Sequence, residues 1–241
     1  AYEISTRDWS SDVCSSDLTV PPSTTVETSS TTVAASSPAT SVTTAPEVTL
    51  AGFDEFASTV SVMRDGRWWL VESNGLPAHN MMVGITSWQQ QVPTPQPYTG
   101  SNAWRIPVDP VVASSPVSAK TALYRGAIAL AANGVPIFNA LNNRGDDAFL
   151  FGELDKWGGH AGRADDYHYH IAPLHLVESV GRDKPIAFAL DGFPIYGETE
   201  PDGSKVKSLD EFNGHFDKTG AYHYHEDRKS TRLNSSHEWI S

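Results

Sequence analysis

Short runs of residues, either apolar throughout or alternating between hydrophobic and polar, dominate the chain between residues 49 and 226. Successive side chains of a strand point to opposite faces, so this alternation predicts half-buried β-strands. Two such runs, Thr59–Met63 and Trp68–Glu72, flank the turn sequence Asp65-Gly66 and predict a hairpin. Further strands are predicted at Trp104–Val108, Ile128–Ala132 and Ile186–Leu190.

One segment carries a helical pattern instead. Phe149, Leu150 and Leu154 fall near helical spacing within Asp146–Trp157, which predicts a short helix. The patterns together predict a β-rich α+β fold, in which antiparallel strands and hairpins are joined by one or two short helices. Residues 49–226 have the length of one domain.

An internal duplication accompanies these strands. Ile128–Gly134 matches Ile186–Gly192 at an offset of 58 residues, and residues 154–170 match residues 209–225 at an offset of 55. Both copies of the second block contain Leu-Asp, Gly-His and, after six further residues, Tyr-His-Tyr-His. We expect two similar supersecondary units related by approximate twofold symmetry.

Histidines recur at fixed spacing in this block. Residues two apart on a strand share a face, so His168 and His170 are expected to project together, as are His223 and His225. Two imidazoles from a strand and a third from a nearby loop can bind a divalent ion and leave a coordination position open. The predicted metal ligands are His160, His168, His170, His215, His223 and His225.

The ligand type narrows the choice of metal. Neutral imidazole without thiolate favours Zn(II) or Cu(II) over Cu(I). Asp155 and Asp210 are candidate ligands or acceptors for imidazole N–H, and His79 is a candidate to join the cluster. Whether the histidines form one joint site or two stays open at this point, because the sequence does not give the strand order.

The repeated tetrapeptide carries a family resemblance. Tyr-His-Tyr-His occurs at residues 167–170 and 222–225, and a Gly-His pair precedes each copy, Gly159-His160 and Gly214-His215. With these motifs the chain resembles the YHYH-domain proteins over roughly Trp68–Glu226. Asp191-Gly192-Phe193-Pro194 adds to the resemblance. It implies an exported or surface-associated bacterial protein and names no reaction.

A rival interpretation is a structural or glycan-binding surface module without metal. Alternating Tyr and His also suits a strand with a polar face and an aromatic core face. A surface row of aromatic residues would stack on sugars of a surface substrate or cell-wall component, although most tryptophans pack in cores. Neither a Gly-x-Ser-x-Gly motif nor a phosphate-binding loop is present, so an enzymatic activity stays undecided. The tryptophans considered are Trp68, Trp69, Trp88, Trp104 and Trp157.

Charge and composition restrict the partners. The chain has 17 Lys and Arg against 29 Asp and Glu, a net charge of −12. Nucleic acid is excluded as a partner, because its binding needs a basic face that neutralises phosphates. No apolar run reaches the roughly 18–20 residues that a membrane-spanning helix needs.

The segment Thr19–Val48 differs from the rest in composition. Half of its residues are Ser or Thr and none is aromatic, so it cannot bury enough apolar surface to order its backbone. We expect a disordered stalk of the kind that separates an export signal or anchor from a surface domain. The predicted location is therefore exported (periplasmic, extracellular or cell-surface), with a signal peptide upstream of this fragment.

The two ends are expected to be foreign to the domain. One codon choice for Asp227–His237 has a reverse complement that encodes Asp8–Asp17, and this DNA looks like a sequencing adapter. Residues 1–18 and 227–241 are therefore set aside as adapter-derived. The single cysteine, Cys14, is set aside with them, so the domain is expected to contain no disulfide.

Overall fold

The computed structural model describes residues 50–87 and 91–226, together with the backbone of residues 236–237. The predictions for residues 1–18 and 19–48, and those for most of residues 227–241, lie outside the described residues. The twofold-related units predicted from the sequence fall within them.

A small antiparallel sheet precedes the main one. It contains β1 (Val60–Asp65), β2 (Trp68–Ser73) and β3 (Trp104–Pro107), in that order. The hairpin predicted around Asp65-Gly66 is confirmed, and the third strand also forms where the alternation predicted it.

An eight-stranded sheet forms the centre of the molecule, in the order β11-β12-β10-β9-β5-β6-β8-β7. Most neighbours are antiparallel, but β6 with β8 and β10 with β12 are parallel. The strands are β5 (Ala127–Ala131), β6 (Pro136–Phe138), β7 (Gly159–Ala161), β8 (Tyr167–Tyr169), β9 (Ala187–Ala189), β10 (Pro194–Tyr196), β11 (Gly214–Phe216) and β12 (Tyr222–His225). A separate pair joins β4 (Val117–Ser118) to β13 (Ser236–His237).

The strand pairings on one side of the β5–β9 contact recur on the other. The antiparallel pair β5–β6 corresponds to β9–β10, and the hairpin β7–β8 corresponds to β11–β12. The registers agree as well, because Ile137 pairs with Tyr169 and Ile195 pairs with Tyr224. The centre of this arrangement lies between β5 and β9.

The helical content is small. The single α-helix of the described residues, α1, covers Val177–Val180, and short 3₁₀ turns cover Phe53–Phe56, Gly100–Asn102 and Leu174–Leu176. None of the described helices is long and apolar enough to span a bilayer. The β-rich prediction with short helices is confirmed.

The prediction of a helix at Asp146–Trp157 is wrong. Asp147 instead bridges to Leu141, and its carboxylate accepts hydrogen bonds from the backbone amides of Phe149 and Leu150. These are the contacts of a helix N-cap, and Phe151 N donates to Asp147 O at 3.0 Å, but the single turn ends at Gly152, whose φ is +69°. Two of the three apolar side chains that suggested a helical face are exposed, Phe149 by 51% and Leu150 by 76%, whereas Leu154 is buried.

Side chains of the main sheet divide by face. The pairing register places Tyr169, Ile137 and Ala129 on one face, and alternation places His168 and Leu130 on the other. All five side chains are buried. The tyrosines of the Tyr-His-Tyr-His strands therefore pack into the core on one side, while the histidines lie on the opposite side.

Candidate metal centres

The hairpin β7–β8 brings three histidines together. His160 pairs directly across the ladder with His168, and His170 lies one residue beyond β8 on the same face. The Nε2 atom of His170 lies 3.1 Å from the Nε2 atoms of both His168 and His160. We call these three residues the first histidine group.

The outer nitrogen of each ring in this group contacts a backbone carbonyl. His160 Nδ1 lies 2.9 Å from the oxygen of Glu153, and His168 Nδ1 lies 3.0 Å from that of Asp166. His170 Nδ1 contacts the oxygen of Asn139. A carbonyl oxygen only accepts hydrogen bonds, so each Nδ1 carries the proton of its neutral ring. The Nε2 atoms then present their lone pairs to one another.

Burial keeps these rings neutral. His160, His168 and His170 are only 6%, 4% and 4% exposed. Burial, followed by the neighbouring His160, lowers the pKa of His170 to about 3. Burial also lowers the pKa of His168 well below its ordinary value and lowers that of His160. At neutral pH the three rings therefore carry no second proton, and protonation does not relieve the repulsion between their Nε2 lone pairs.

The dimensions match a transition-metal site. Ligand nitrogens about 2.0–2.1 Å from a tetrahedral ion lie roughly 3–3.5 Å apart. The ring of Phe138 stacks on His168 at 4.0 Å between centroids and restrains its orientation. Carbonyl groups that surround a metal site fix the tautomer and the orientation of the ligand imidazole rings.

The hairpin β11–β12 builds a second histidine group from His215, His223 and His225. His215 pairs across the ladder with His223, and the Nε2 atom of His223 lies 3.0 Å from those of His215 and His225. His225 Nδ1 lies 2.8 Å from the oxygen of Gly197, as His170 Nδ1 contacts Asn139 in the first group. Burial lowers the pKa of His223 and of His225.

Glu200 joins the second group. Its Oε1 lies 3.2 Å from His215 Nε2, and its Oε2 lies 3.3 Å and 3.4 Å from the Nε2 atoms of His223 and His225. Glu200 lies outside the repeated histidine blocks, so the sequence pattern does not identify it. It follows β10, whose parallel pairing with β12 brings it to the histidines, and that pairing has no local sequence signal.

The two histidine groups are separate. Four strands lie between β8 and β12 in the sheet order. Neighbouring strands are about 4.8 Å apart, so these two strands are about 24 Å apart along the sheet. The question of one joint site or two is answered by this strand order.

Asp155 and Asp210 hold their loops together. Asp155 Oδ2 accepts from the Tyr167 hydroxyl at 2.8 Å, and Asp210 Oδ2 accepts from the Tyr222 hydroxyl at the same distance. The other oxygen of each carboxylate accepts from loop amides, among them that of Gly159 in the first half. Within the described hydrogen bonds neither carboxylate accepts from an imidazole, so the predicted role beside the histidines is not observed.

His79 lies on the tyrosine face of β8. Its Nε2 is 2.9 Å from the Tyr169 hydroxyl, and its ring stacks on Trp157 at 4.8 Å. His175 Nε2 lies 3.4 Å from the same hydroxyl. The structure therefore does not bring His79 to either histidine group.

The tryptophans do not form an exposed row in the part of the chain that the structure describes. Trp69 is buried, and Trp68, Trp104 and Trp157 are half-buried, whereas Trp88 lies outside the described residues. A glycan platform would need exposed ring faces. This arrangement favours packing as their role.

Comparison with known families agrees with the sequence motifs. Residues 103–208 match the family model described as YHYH protein. Residues 103–208 contain a YHYH domain. The match includes the first histidine group and Glu200, and it ends before the second Tyr-His-Tyr-His. Neither the curated proteins nor the solved structures contain a significant match to the chain.

Proposed function

We propose that this YHYH-domain protein binds a divalent metal ion, Zn(II) or Cu(II), at each of its two histidine groups. One observation carries the proposal. In the first group three Nδ1 atoms are held by carbonyls, while three buried Nε2 atoms converge at 3.1 Å contacts. Three imidazole lone pairs facing one another need a cation between them.

A purely structural role explains this arrangement poorly. Buried polar atoms normally have hydrogen-bond partners, and each unsatisfied one costs about 1–3 kcal/mol. Neutral His168 and His170 with their protons on Nδ1 cannot donate across the 3.1 Å contact between their Nε2 atoms. A bound ion turns this unfavourable contact into coordination bonds.

The two metal centres belong, in this proposal, to two copies of a duplicated unit. The matching sequence offsets, the repeated strand pairings and the equivalent carbonyl contacts of His170 and His225 support the duplication. Each hairpin supplies its own three imidazoles. Two ions per chain are therefore expected.

The proposed location is outside the cytoplasm or at the cell surface. The Ser/Thr-rich composition of Thr19–Val48 and the resemblance to a family of exported proteins support it. A membrane-impermeant amine label applied to intact cells would modify the chain if it is surface-exposed. Protection from the label in intact cells, together with retention in the cytoplasm after osmotic shock, would contradict export.

Metal stoichiometry tests the central proposal. The full chain, freed of metal by chelation and titrated with Zn(II) or Cu(II), is expected to bind two ions. His168→Ala with His170→Ala is expected to bind one ion, as is His223→Ala with His225→Ala, and the fourfold variant none. His79→Ala is the matched control and is expected to keep both ions, because its ring lies on the tyrosine face of β8.

Two results would overturn the proposal. Binding no stronger than that of the fourfold variant would show that the histidines are structural. If the variant with both His168→Ala and His170→Ala still binds two ions, the metal lies elsewhere in the protein. The first result would favour the rival interpretation, a structural or glycan-binding surface module without metal.

A further inference from the structure

Asn142 and Glu200 occupy the same position in the two halves. Each opens a tight turn that closes on a glycine, with Gly145 N donating to Asn142 O at 2.9 Å and Gly203 N donating to Glu200 O at 2.8 Å. The bridge that encloses each turn is also equivalent, since Leu141 pairs with Asp147 and Thr199 with Lys205. The side chains at this shared position differ in charge.

The amide of Asn142 is used by its own turn. Its Oδ1 accepts from the backbone amides of Arg144 and Asp146, at 2.9 Å and 3.0 Å. Its Nδ2 donates to the Glu153 carboxylate at 3.2 Å. Glu200 instead directs both carboxylate oxygens at imidazole nitrogens.

The carboxylate of Glu153, whose backbone oxygen contacts the first group, is already paired. Arg144 Nη2 lies 2.6 Å from Glu153 Oε1. The residue equivalent to Arg144 in the second half is Asp202, which forms an ion pair with Lys218. Among the residues that the structure describes, the first group therefore offers three neutral nitrogens, whereas the second offers three nitrogens and an anionic oxygen.

We infer that the two centres differ in coordination. At the second centre Glu200 is the fourth ligand and completes the site, whereas the first centre keeps a coordination position for a small exogenous anion. This inference rests on the proposed metal binding and adds the chemistry of each site. Three protein ligands with one open position are typical of reactive zinc sites, and four protein ligands are typical of structural ones.

Charge gives the inference its physical basis. A divalent ion held by three neutral imidazoles keeps a net charge of +2, and a carboxylate ligand lowers this to +1. An anion is attracted more strongly to the first centre, and the difference is large where burial reduces the effective dielectric constant. The first centre lies deeper, since His160 is buried whereas His215 is half-buried.

Co(II) and azide are suitable probes, because the visible spectrum of Co(II) changes with its ligands. The His223→Ala, His225→Ala background isolates the first centre, and the His168→Ala, His170→Ala background isolates the second. Azide is expected to shift the Co(II) spectrum of the isolated first centre. It is expected to bind the isolated second centre at least about tenfold more weakly.

Glu200→Gln in the background that retains the second centre provides the decisive variant. Loss of the carboxylate is expected to make that centre responsive to azide, while Glu198→Gln, an exposed neighbour two residues away, leaves it unresponsive. Circular dichroism of each variant establishes that it is folded. If Glu200→Gln no longer binds Co(II) at this centre while Glu198→Gln still does, that result also supports Glu200 as a ligand.

The outcomes separate the two proposals. If neither isolated centre binds Co(II), the proposed metal function is wrong. If both bind Co(II) but respond equally to azide, or if Glu200→Gln behaves as Glu198→Gln does, metal binding stands and the inference of unequal centres is wrong.

Discussion

Tyr169 is hydrogen-bonded to His79 across 2.9 Å, on the face of β8 opposite the histidine group. Asn133 Nδ2 donates to the same hydroxyl at 3.1 Å, so the proton of Tyr169 is directed to an imidazole. In the second half the equivalent Tyr224 donates to the carboxylate of Asp191 instead. The two Tyr-His-Tyr-His strands thus secure their core tyrosines with different partners.

Tyr169→Phe is therefore expected to reduce the free energy of unfolding by about 1–3 kcal/mol, because it leaves the Asn133 amide unsatisfied in the core. Urea denaturation of the metal-free chain measures this. Tyr124→Phe is the control, since Tyr124 is 37% exposed and should change stability by less than about 0.5 kcal/mol. If Tyr169→Phe changes the free energy of unfolding as little as Tyr124→Phe does, the buried hydrogen bonds of Tyr169 contribute nothing measurable to stability.

The matching aspartates of the two halves are expected to differ in importance. Asp155 is buried and Asp210 is exposed, although each accepts from a tyrosine hydroxyl at 2.8 Å. Asp155→Ala should lower the free energy of unfolding by about 2–3 kcal/mol and Asp210→Ala by about 1 kcal/mol or less. Chemical denaturation of both variants checks the order, and a larger loss for Asp210→Ala would contradict it.

The metal-free chain is expected to lose stability as pH falls from about 6.5 to 3. The pKa of His170 is lowered to about 3 by burial, whereas an unfolded histidine titrates near 6.5. Between these values the unfolded chain binds a proton that the folded chain does not, so the free energy of unfolding rises with pH.

Denaturation in chelator at several pH values measures this slope, which reaches about 1.4 kcal/mol per pH unit for each such histidine. His168→Ala with His170→Ala should flatten it. A slope unchanged in that variant would mean that other groups control the acid response.

Gly134 forms the turn between β5 and β6 and contacts the small sheet. Its φ is +78°, and a Cβ added there would lie 2.5 Å from the Cβ of Ser73. Gly134→Ala is expected to destabilise by about 2–4 kcal/mol, because left-handed strain adds to a steric clash.

Gly66→Ala is the matched control for that turn. Gly66 also has a positive φ, +57°, but a Cβ there would meet nothing within 4 Å. Thermal unfolding should show about 1–2 kcal/mol of destabilisation from backbone strain alone. Similar effects at the two glycines would indicate that the contact with Ser73 is not tight.

Sequence patterns predicted the structural features that depend on residues close together in the chain. Short apolar or alternating runs identified β1, β2, β3, β5 and β9. The side chains of β2 alternate between buried and half-buried positions, whereas every residue of β9 is buried. The spacing of His160, His168 and His170 predicted their grouping because one hairpin contains all three. The apolar run around Leu150 was misleading, since it carries hydrophobic residues that face solvent where Asp147 fixes a turn.

Features that depend on strand order could not be predicted in this way. Glu200 reaches His223 because β10 pairs in parallel with β12, and the separation of the two histidine groups follows from four intervening strands. Both are non-local properties of the sheet. The partnership of His79 with Tyr169 likewise joins residues 90 positions apart in the chain.

His160, His168 and His170 all come from one short hairpin, so the denatured ensemble keeps these imidazoles within reach of a single ion. Closing so short a loop has a small entropy cost, and the unfolded chain should therefore retain appreciable metal affinity. An ion that binds both states raises the melting temperature less than its affinity for the folded protein would suggest. Under the proposed metal binding, we expect the same proximity to let the hairpin capture an ion early in folding, before β5 and β9 pair.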